Sequence, residues 1–515
     1  MKFRKFLMLL LAITVNTFSQ TTSAEKQFFD NFKKDSIHYD LVKGLSFIDA
    51  SYSDKTYLKN KRVLDDFIKT LPKKGKTDKR EKKRIKKIYD LVHKEFFKKH
   101  DENVFFNDVF TSKTYNCVTA TALYVYIFEE LKVPYHIKEM PSHVFLIAYP
   151  NKYRIHLETT VPGAYGFYIP KDSEVIKMVD ELINTKLLTK EEVNKKGYNK
   201  TYLDYFYGKK HVDKSKLIGM QYYNKAVFNY NKEELKAGFE NIIKSFVFYK
   251  NPYSKAILAG MISQGLIKMD LNDISNIEIL FNAIKLLEFE KEIDKYTIEL
   301  LLYKIVTNDK NDLDFIESLI PELKELNQEP LELFCIDYIT EYLASEYLEK
   351  NNFDKAIQYC EYILKKNPNN KKMKSMITFA IFKKYYISKI NEKILITLNG
   401  YIKEYPFLFK DRRIVSLLTG FYAQMVQNNY YLRDEKKAYD YFLKFDSLIK
   451  SNKELVQLNP EYVAQIYLIA GKYYYGSNKF VKAKEIFEKG VEYYPEHPGL
   501  TKKLKWTIED MQGID

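Results

Sequence analysis

The 515-residue chain has few of the residues that cross-link or interrupt a fold: three cysteines, 17 glycines, 14 prolines and one tryptophan. Three cysteines exclude a disulfide scaffold, and no pair of them has the spacing of a structural zinc site. Few glycines and prolines mean few turns, which favours long helices over an all-β architecture. The 44 tyrosines and 35 phenylalanines must therefore supply much of the core.

Long apolar runs are also lacking, apart from one near the N-terminus. Three basic residues among the first five precede an apolar run from Phe6 to Val15, and small polar residues follow. This layout predicts a secretory signal over residues 1–24, with cleavage after Ser19 or Ala24. The run is too short to span a bilayer, although a buried helix of the folded domain is an alternative. We therefore expect an exported protein, periplasmic or extracellular and soluble after removal of the signal, without a transmembrane segment.

The positive charge is concentrated in one segment. The formal net charge is +15, and residues 73–99 alone hold 13 basic and four acidic residues. Ile85, Ile88, Val92 and Phe96 recur there at helical spacing, which favours a solvated amphipathic helix. A polyanion-binding patch and a contact with anionic lipid or cell-wall polymer are the alternatives. We expect no nucleic-acid partner, because an exported protein meets little nucleic acid.

The residue pattern changes twice along the chain. Residues 25–100 show helical periodicity, whereas residues 101–170 combine one apolar helix, Val118–Leu131, with short strand-like runs. These runs are Tyr135–Ile137, His143–Tyr149 and Tyr153–Thr160, the last two joined by a hairpin turn at Pro150. Residues 216–515 are helical again. We therefore predict an α+β domain over residues 25–215 and an α-helical domain over residues 216–515.

The helical half contains an internal repeat, seen as two sets of residues with identical internal spacings of 3, 9, 4, 3 and 5. The first set is Ala344, Tyr347, Ala356, Cys360, Ile363 and Pro368, and the second is Gly471, Tyr474, Ala483, Phe487, Gly490 and Pro495. Weaker copies centre on Gly238, Leu398 and Ala438. The pattern resembles the tetratricopeptide repeat, which implies a solenoid of stacked helical hairpins with a groove for a protein or peptide partner.

Cys117, at the start of the apolar helix in the first half of the chain, is a candidate nucleophile. Asn116 suits the N-cap and places Cys117 in the first helical turn, where free N–H groups stabilise a thiolate. His143 begins a neighbouring strand and would take the thiol proton as a general base. Glu158 lies across the predicted hairpin from His143 and would orient the imidazole. We therefore predict a catalytic triad of Cys117, His143 and Glu158.

These segments resemble the transglutaminase-like cysteine peptidase core, in its compact bacterial branch. The resemblance rests on 116–124 (NCVTATALY), 131–134 (LKVP), 141–145 (PSHVF) and 158–160 (ETT), within residues 85–170. It implies a papain-like domain, one helix on an antiparallel sheet, with Cys117, His143 and Glu158 as nucleophile, base and orienting acid. The family commonly has Asp where this chain has Glu158, and the Cys-to-His interval of 26 residues is short for its larger members.

Several other residues remain open. His156 shares the strand parity of Glu158, so it is a second hydrogen-bonding group, an alternative base or an ordinary sheet residue. Asn116, Tyr115 and Asn107 are candidates for supporting the site or its oxyanion. Cys335 and Cys360 fall on helical core positions and are expected to be inert. We expect no cofactor; a metal site built from His136, His143, His156 and Cys117 is the weaker alternative because no ligand spacing supports it.

Two functions follow. One is an exported, thiol-dependent acyl-transfer enzyme, a peptidase, amidase or transglutaminase-like protein whose repeats recruit a protein or peptide. The other is a non-catalytic repeat scaffold that carries a degenerate transglutaminase-like domain. The sequence favours the enzyme because Cys117, His143 and Glu158 occur in the required order.

Overall fold

The computed structural model describes residues 22–49, 52–140, 143–163, 165–168, 171–207, 211–250, 252–452 and 454–512. The predicted signal segment therefore lies outside the described residues, except for its last three positions. The chain divides into two compact units, one formed by the residues up to 310 with 326–331 and the other by 311–325 with 332–515. The sequence predicts a domain boundary at residue 215, which is not a border between these two compact units. The division into an α+β domain and a repeat domain at that residue stays a prediction.

Four helices form the N-terminal part of the first unit. They are α1 (Ser23–Lys34), α2 (Leu41–Ser46), α3 (Asp54–Thr70) and α4 (Asp78–Phe96). Each is preceded by a Ser, Thr or Asp whose side chain accepts the N–H of the residue three positions later, so capping explains each helix start. Helix α4 buries Ile85, Ile88 and Val92 in the core, as the spacing in the basic segment predicts.

A buried helix and a sheet follow. Strands β1 (Lys99–His100) and β2 (Thr114–Tyr115) pair in parallel, and the short helix α5 (Asp108–Thr111) lies between them in the sequence. Helix α6 (Cys117–Glu130) begins two residues after β2 ends. The main sheet is antiparallel, in the order β3 (Tyr135–Met140), β4 (His143–Ala148), β5 (Ile155–Leu157) and β6 (Phe167–Tyr168). The three predicted strands are present, and β6 was not predicted.

The two faces of the sheet pack on different helices. Val144 and Leu146 of β4 lie in one apolar cluster with α6, whereas Phe145 and Ile147 point to the opposite face and a second cluster. Helices α7 (Asp172–Asn184), α8 (Lys190–Lys196) and α9 (Tyr198–Tyr202) supply the second cluster, and a π-helical turn (Leu203–Tyr207) follows. Both faces are therefore buried.

The first helical hairpin after residue 215 packs into this same core. It consists of α10 (Ser215–Asn231) and α11 (Leu235–Phe248), whose residues Leu217, Ile218 and Phe248 belong to the cluster that surrounds α6. The hairpin also accommodates a buried charge, because Glu25 of α1 accepts hydrogen bonds from Tyr222 (2.5 Å) and Lys244 (3.1 Å). It is therefore part of the first unit, which continues through α12 (Pro252–Lys268), α13 (Ile274–Ile284) and α14 (Lys295–Val306).

The second unit consists of helices joined in hairpins. They are α15 (Leu313–Leu323), α16 (Glu329–Glu349), α17 (Phe353–Lys366), α18 (Lys371–Tyr386), α19 (Glu392–Glu404), α20 (Arg412–Tyr431), α21 (Glu435–Asn452), α22 (Pro460–Gly476), α23 (Phe480–Tyr493) and α24 (Pro498–Gln512), with a 3₁₀ turn at Pro406–Lys410. The two repeat sets fall on the hairpins α16–α17 and α22–α23, which confirms the predicted helical repeat. A Cβ on Gly471 would lie 2.3 Å from the ring of Phe487, so glycine is what permits this close approach.

The hairpin turns share a backbone feature. Glu233, Asn351, Arg433 and Asn478 each stand at the equivalent turn position with a positive φ of 57–64°. Asn tolerates this left-handed conformation better than most residues, which explains Asn351 and Asn478 in the two clearest repeats. Within the described residues, no helix is both long and apolar enough to cross a bilayer.

Candidate functional site

Cys117 is the first residue of α6, and the helix start is fixed by Asn116. The Oδ1 atom of Asn116 accepts the N–H groups of Val118 (3.1 Å) and Thr119 (3.0 Å), and its carbonyl accepts that of Ala120. Among the N–H groups of the first turn, that of Cys117 is thus the one for which Asn116 provides no acceptor. The thiol is half-buried, whereas Asn116 is buried.

Asn116 contacts the segment after β1 and helix α10 as well as its own helix. Its Nδ2 group donates to the carbonyl oxygens of Glu102 (3.3 Å) and Val104 (3.0 Å), and Gln221 of α10 donates to its Oδ1 (3.4 Å). Both amide hydrogens of Asn116 are therefore engaged. Asn116 is therefore the helix cap that the sequence predicts, and it supports the site in that way because it has no donor left for a substrate.

His143 and Glu158 meet at the edge of the sheet. Nε2 of His143, the first residue of β4, lies 2.8 Å from both carboxylate oxygens of Glu158, the residue after β5. The Cys117 side chain lies close enough to the same imidazole to raise its pKa. The structure thus brings together the thiol, imidazole and carboxylate predicted from the sequence, with Glu158 on Nε2.

The electrostatics of the site favour a charged imidazole. Burial by itself lowers the pKa of His143, but hydrogen bonds and charges from Cys117 and Glu158 outweigh burial and raise it to about 10. Burial also acts to raise the pKa of Glu158, and the hydrogen bond and charge of His143, together with Thr160, lower it below its ordinary value. Each partner therefore stabilises the charged form of the other.

Residues around Glu158 fix its position. Thr160 donates its hydroxyl to Oε1 of Glu158 (2.8 Å), and Tyr115 donates to the carbonyl oxygen of Thr160 (3.1 Å). Tyr89 of α4 donates to the carbonyl oxygens of Glu158 (2.7 Å) and Val161. The single hydroxyl hydrogen of Tyr115 is used in the bond to Thr160. Tyr115 therefore supports the segment that holds Glu158 and does not donate to an oxyanion.

A glycine allows the next loop to close against Glu158. The N–H of Glu158 donates to the carbonyl of Gly166 (2.7 Å), and a Cβ on Gly166 would lie 2.0 Å from the Tyr89 hydroxyl oxygen. Any larger residue at 166 would therefore collide with Tyr89. In the sequence Gly166 stands out only because glycines are few. Nothing in the sequence indicates that Tyr89 contacts Glu158 or that Gln221 contacts Asn116.

His156 is buried near the reacting groups, and the charges of Glu158 and His143 act on its ring. Its ring is stacked between Phe145 (4.2 Å between ring centroids) and Tyr168 (4.6 Å), and the residue is 1% exposed. Burial lowers the pKa of His156 to about 4, so the ring is neutral near neutral pH. His156 is therefore a packing residue rather than a base.

The other candidates lie elsewhere. Asn107 is buried and contacts Asn60 and the carbonyl of Ser46. Burial raises the pKa of both Cys335 and Cys360 to about 12, which leaves these thiols protonated. In the part of the chain that the structure describes, no three or more His, Cys, Asp or Glu side chains are grouped so as to hold a metal ion. Pro141 and Ser142 of the quoted motif lie outside the described residues.

Comparisons with known proteins add little to this geometry. No family model and no curated protein matches the chain. One solved structure, titled "Crystal structure of APC/C hetero-tetramer Cut9-Hcn1", matches with 11% identity and a TM-score of 0.15 over 98% of this chain and 92% of that chain. A likeness of this strength supports no inference about fold or function. The resemblance to the transglutaminase-like family thus stays a prediction.

Proposed function

We propose that the protein is a cysteine-dependent acyl-transfer enzyme. The observation that carries the proposal is the His143 imidazole shared by Cys117 and by both carboxylate oxygens of Glu158. A thiol at a helix start, a base and an orienting carboxylate are the groups that nucleophilic acyl transfer requires. The same site would also fit a thiol that no longer has a substrate, so activity must be measured directly.

The groups assign the steps of the reaction. In the proposed reaction, the charged His143 imidazole already holds the proton of Cys117 before the substrate arrives, and the thiolate sulfur attacks the carbonyl carbon of an amide or ester. The new C–S bond forms as the C–N or C–O bond breaks, and His143 returns the proton to the leaving amine or alcohol. The N–H of Cys117, which the Asn116 cap leaves over, would donate to the developing oxyanion.

The acyl-enzyme is then released by the reverse sequence of proton transfers. Water or an amine gives a proton to His143 and attacks the thioester, and the C–S bond breaks to restore the thiol. With water the product is a carboxylic acid, and with an amine it is a new amide. Hydrolysis is the expected outcome in a periplasmic or extracellular setting, where water is abundant and competing amines are dilute.

The proposal is tested with p-nitrophenyl acetate as the acyl donor. We expect a rapid release of p-nitrophenolate and an acetyl group on Cys117, seen by peptide mass spectrometry. Cys117→Ala and His143→Ala would abolish the rapid phase, whereas the control variant Cys335→Ser with Cys360→Ser would keep it. A rapid phase that persists in Cys117→Ala would contradict the proposal.

A second function is that of an interaction scaffold. It is favoured by the consecutive hairpins α16–α17, α18–α19, α20–α21 and α22–α23, because stacked hairpins form surfaces that bind an extended peptide or a helix. Cross-linking would be compared in the full chain, in Cys117→Ala and in a chain that ends at residue 331. Loss of cross-linked partners on truncation but not in Cys117→Ala would support a scaffold, and partners that the truncated chain keeps would contradict it.

A further inference from the structure

Three hairpin turns of the second unit lie side by side along one edge. They connect α18 to α19, α20 to α21 and α22 to α23. Glu392 forms an ion pair with Lys437 (3.6 Å), and Glu435 forms one with Lys479 (2.6 Å), so each turn contacts the next. We name residues 383–393, 430–437 and 476–484 the turn edge.

The turn edge exposes large apolar side chains. Tyr386 and Ile387 are 66% and 79% exposed, Tyr431 and Leu432 are 88% and 72% exposed, and Val481 is 73% exposed. The first two pairs follow a buried tyrosine, Tyr385 or Tyr430, so the same three-residue pattern occurs twice. These five side chains project from the ends of helices into water, and none of them contributes to the core.

The hairpin architecture does not require these residues. The turn between α16 and α17 has the same length and the same positive-φ position as the turns after α20 and α22, but its residues are Lys350, Asn351 and Asn352. A polar turn therefore serves the fold equally well. Exposed Tyr, Ile and Leu in successive turns indicate a surface that contacts something else.

The charge of the turn edge indicates the partner. The three segments contain ten Lys or Arg residues and three Asp or Glu residues. Two of the three acidic residues, Glu392 and Glu435, are already neutralised by the ion pairs between turns. Five exposed basic residues of this edge form no ion pair with any described residue: Lys383, Lys389, Lys393, Arg433 and Lys436.

We propose that the turn edge is a peripheral binding site for an anionic lipid bilayer. Aromatic and aliphatic tips enter the headgroup region while surrounding Lys and Arg side chains bind anionic headgroups. A line of protruding tips suits a flat surface, whereas a protein or peptide partner would be expected in a groove. This inference is independent of the chemistry proposed for Cys117.

The test is flotation with vesicles of phosphatidylglycerol and phosphatidylcholine in equal parts, compared with phosphatidylcholine alone. Residues 1–21 are omitted because their apolar run would itself bind lipid, and every described helix and strand follows them. We expect binding to the anionic vesicles only, and loss of that binding at high salt. Ile387→Ser with Leu432→Ser should weaken binding roughly tenfold or more.

A matched control removes equally exposed aliphatic groups elsewhere. Ile267 and Leu58, which are 70% and 56% exposed in the first unit, are replaced by Ser in the control variant. The control should bind vesicles as the parent does, and all variants should unfold at the same temperature. Failure of the parent to bind anionic vesicles, or equal binding by the turn-edge and control variants, overturns the proposal; a protein partner for this edge would then be the alternative.

Discussion

The protein places its cysteines in two contrasting environments. Cys117 stands at a helix start beside an imidazole and a carboxylate, which come from elements 26 and 41 residues further along the chain. Cys335 and Cys360 are buried in helices of the repeat region, where burial raises their pKa to about 12. The same side chain is thus a candidate nucleophile in one region and a packing group in the other. The surroundings of a residue, and not its type, decide its chemistry.

The two regions also differ in how they treat buried polar groups. In the first unit, buried polar side chains reach partners far away in sequence, such as Glu25 with Lys244 and Gln221 with Asn116. In the second unit, ion pairs such as that of Lys355 with Glu317 join neighbouring helices and remain partly exposed. Changes to buried polar groups should therefore cost more in the first unit than in the second.

The largest expected effect concerns where the first unit ends. A chain that ends at residue 215 lacks α10 and α11, which supply Leu217, Ile218 and Phe248 to the core and Gln221 to the Asn116 cap. We expect this chain to be unfolded, whereas a chain that ends at residue 331 should unfold cooperatively on heating. Near-ultraviolet circular dichroism, recorded during heating, shows whether each of the two chains is folded and whether it unfolds cooperatively. A folded 215-residue chain would show that the first hairpin belongs with the repeats.

The next effect compares one buried and one exposed ion pair. Lys244→Met leaves Glu25 buried without its cation and should destabilise the chain by about 3–5 kcal/mol. Lys355→Met removes the partly exposed partner of Glu317 and should cost less than about 1 kcal/mol. Urea unfolding gives both values. Equal costs would remove the distinction between the two units.

A smaller effect depends on pH. The raised pKa of His143 stabilises the fold below its ordinary value of 6.5, and this contribution disappears as the pH rises towards about 10. The lowered pKa of Glu158 stabilises the fold above 4.5, its ordinary value, and this contribution disappears as the pH falls. Glu158→Gln should therefore reduce the free energy of unfolding by about 2 kcal/mol, and the reduction should be largest between pH 5 and 6.5. The unfolding temperature, measured across this pH range, should fall accordingly. A difference that does not change with pH would exclude the charged pair.

The smallest effect tests the support of the carboxylate. Thr160→Val removes the hydroxyl that donates to Glu158, and we expect Cys117 to be alkylated about fivefold more slowly, equivalent to roughly 1 kcal/mol. Thr114→Val is the control because its hydroxyl contacts only Ser112 at the surface. Similar rates in the two variants would mean that Thr160 does not position Glu158.

The sequence predicts those features that depend on local patterns. The cap at Asn116, the helix that follows, the hairpin of β4 and β5 and the repeated helical hairpins all follow from neighbouring residues. The contacts of Tyr89, Gln221 and Lys244 could not be predicted, because each joins segments that are 69 or more residues apart.

The most direct test of the account is the rate at which each of the three thiols reacts with iodoacetamide, followed by peptide mass spectrometry from pH 5 to 9. We predict that Cys117 is alkylated at least about tenfold faster than Cys335 and Cys360 below pH 7, and that His143→Ala removes this advantage. Equal rates at the three cysteines, or an advantage that survives in His143→Ala, would contradict the claim that Cys117 is an activated nucleophile.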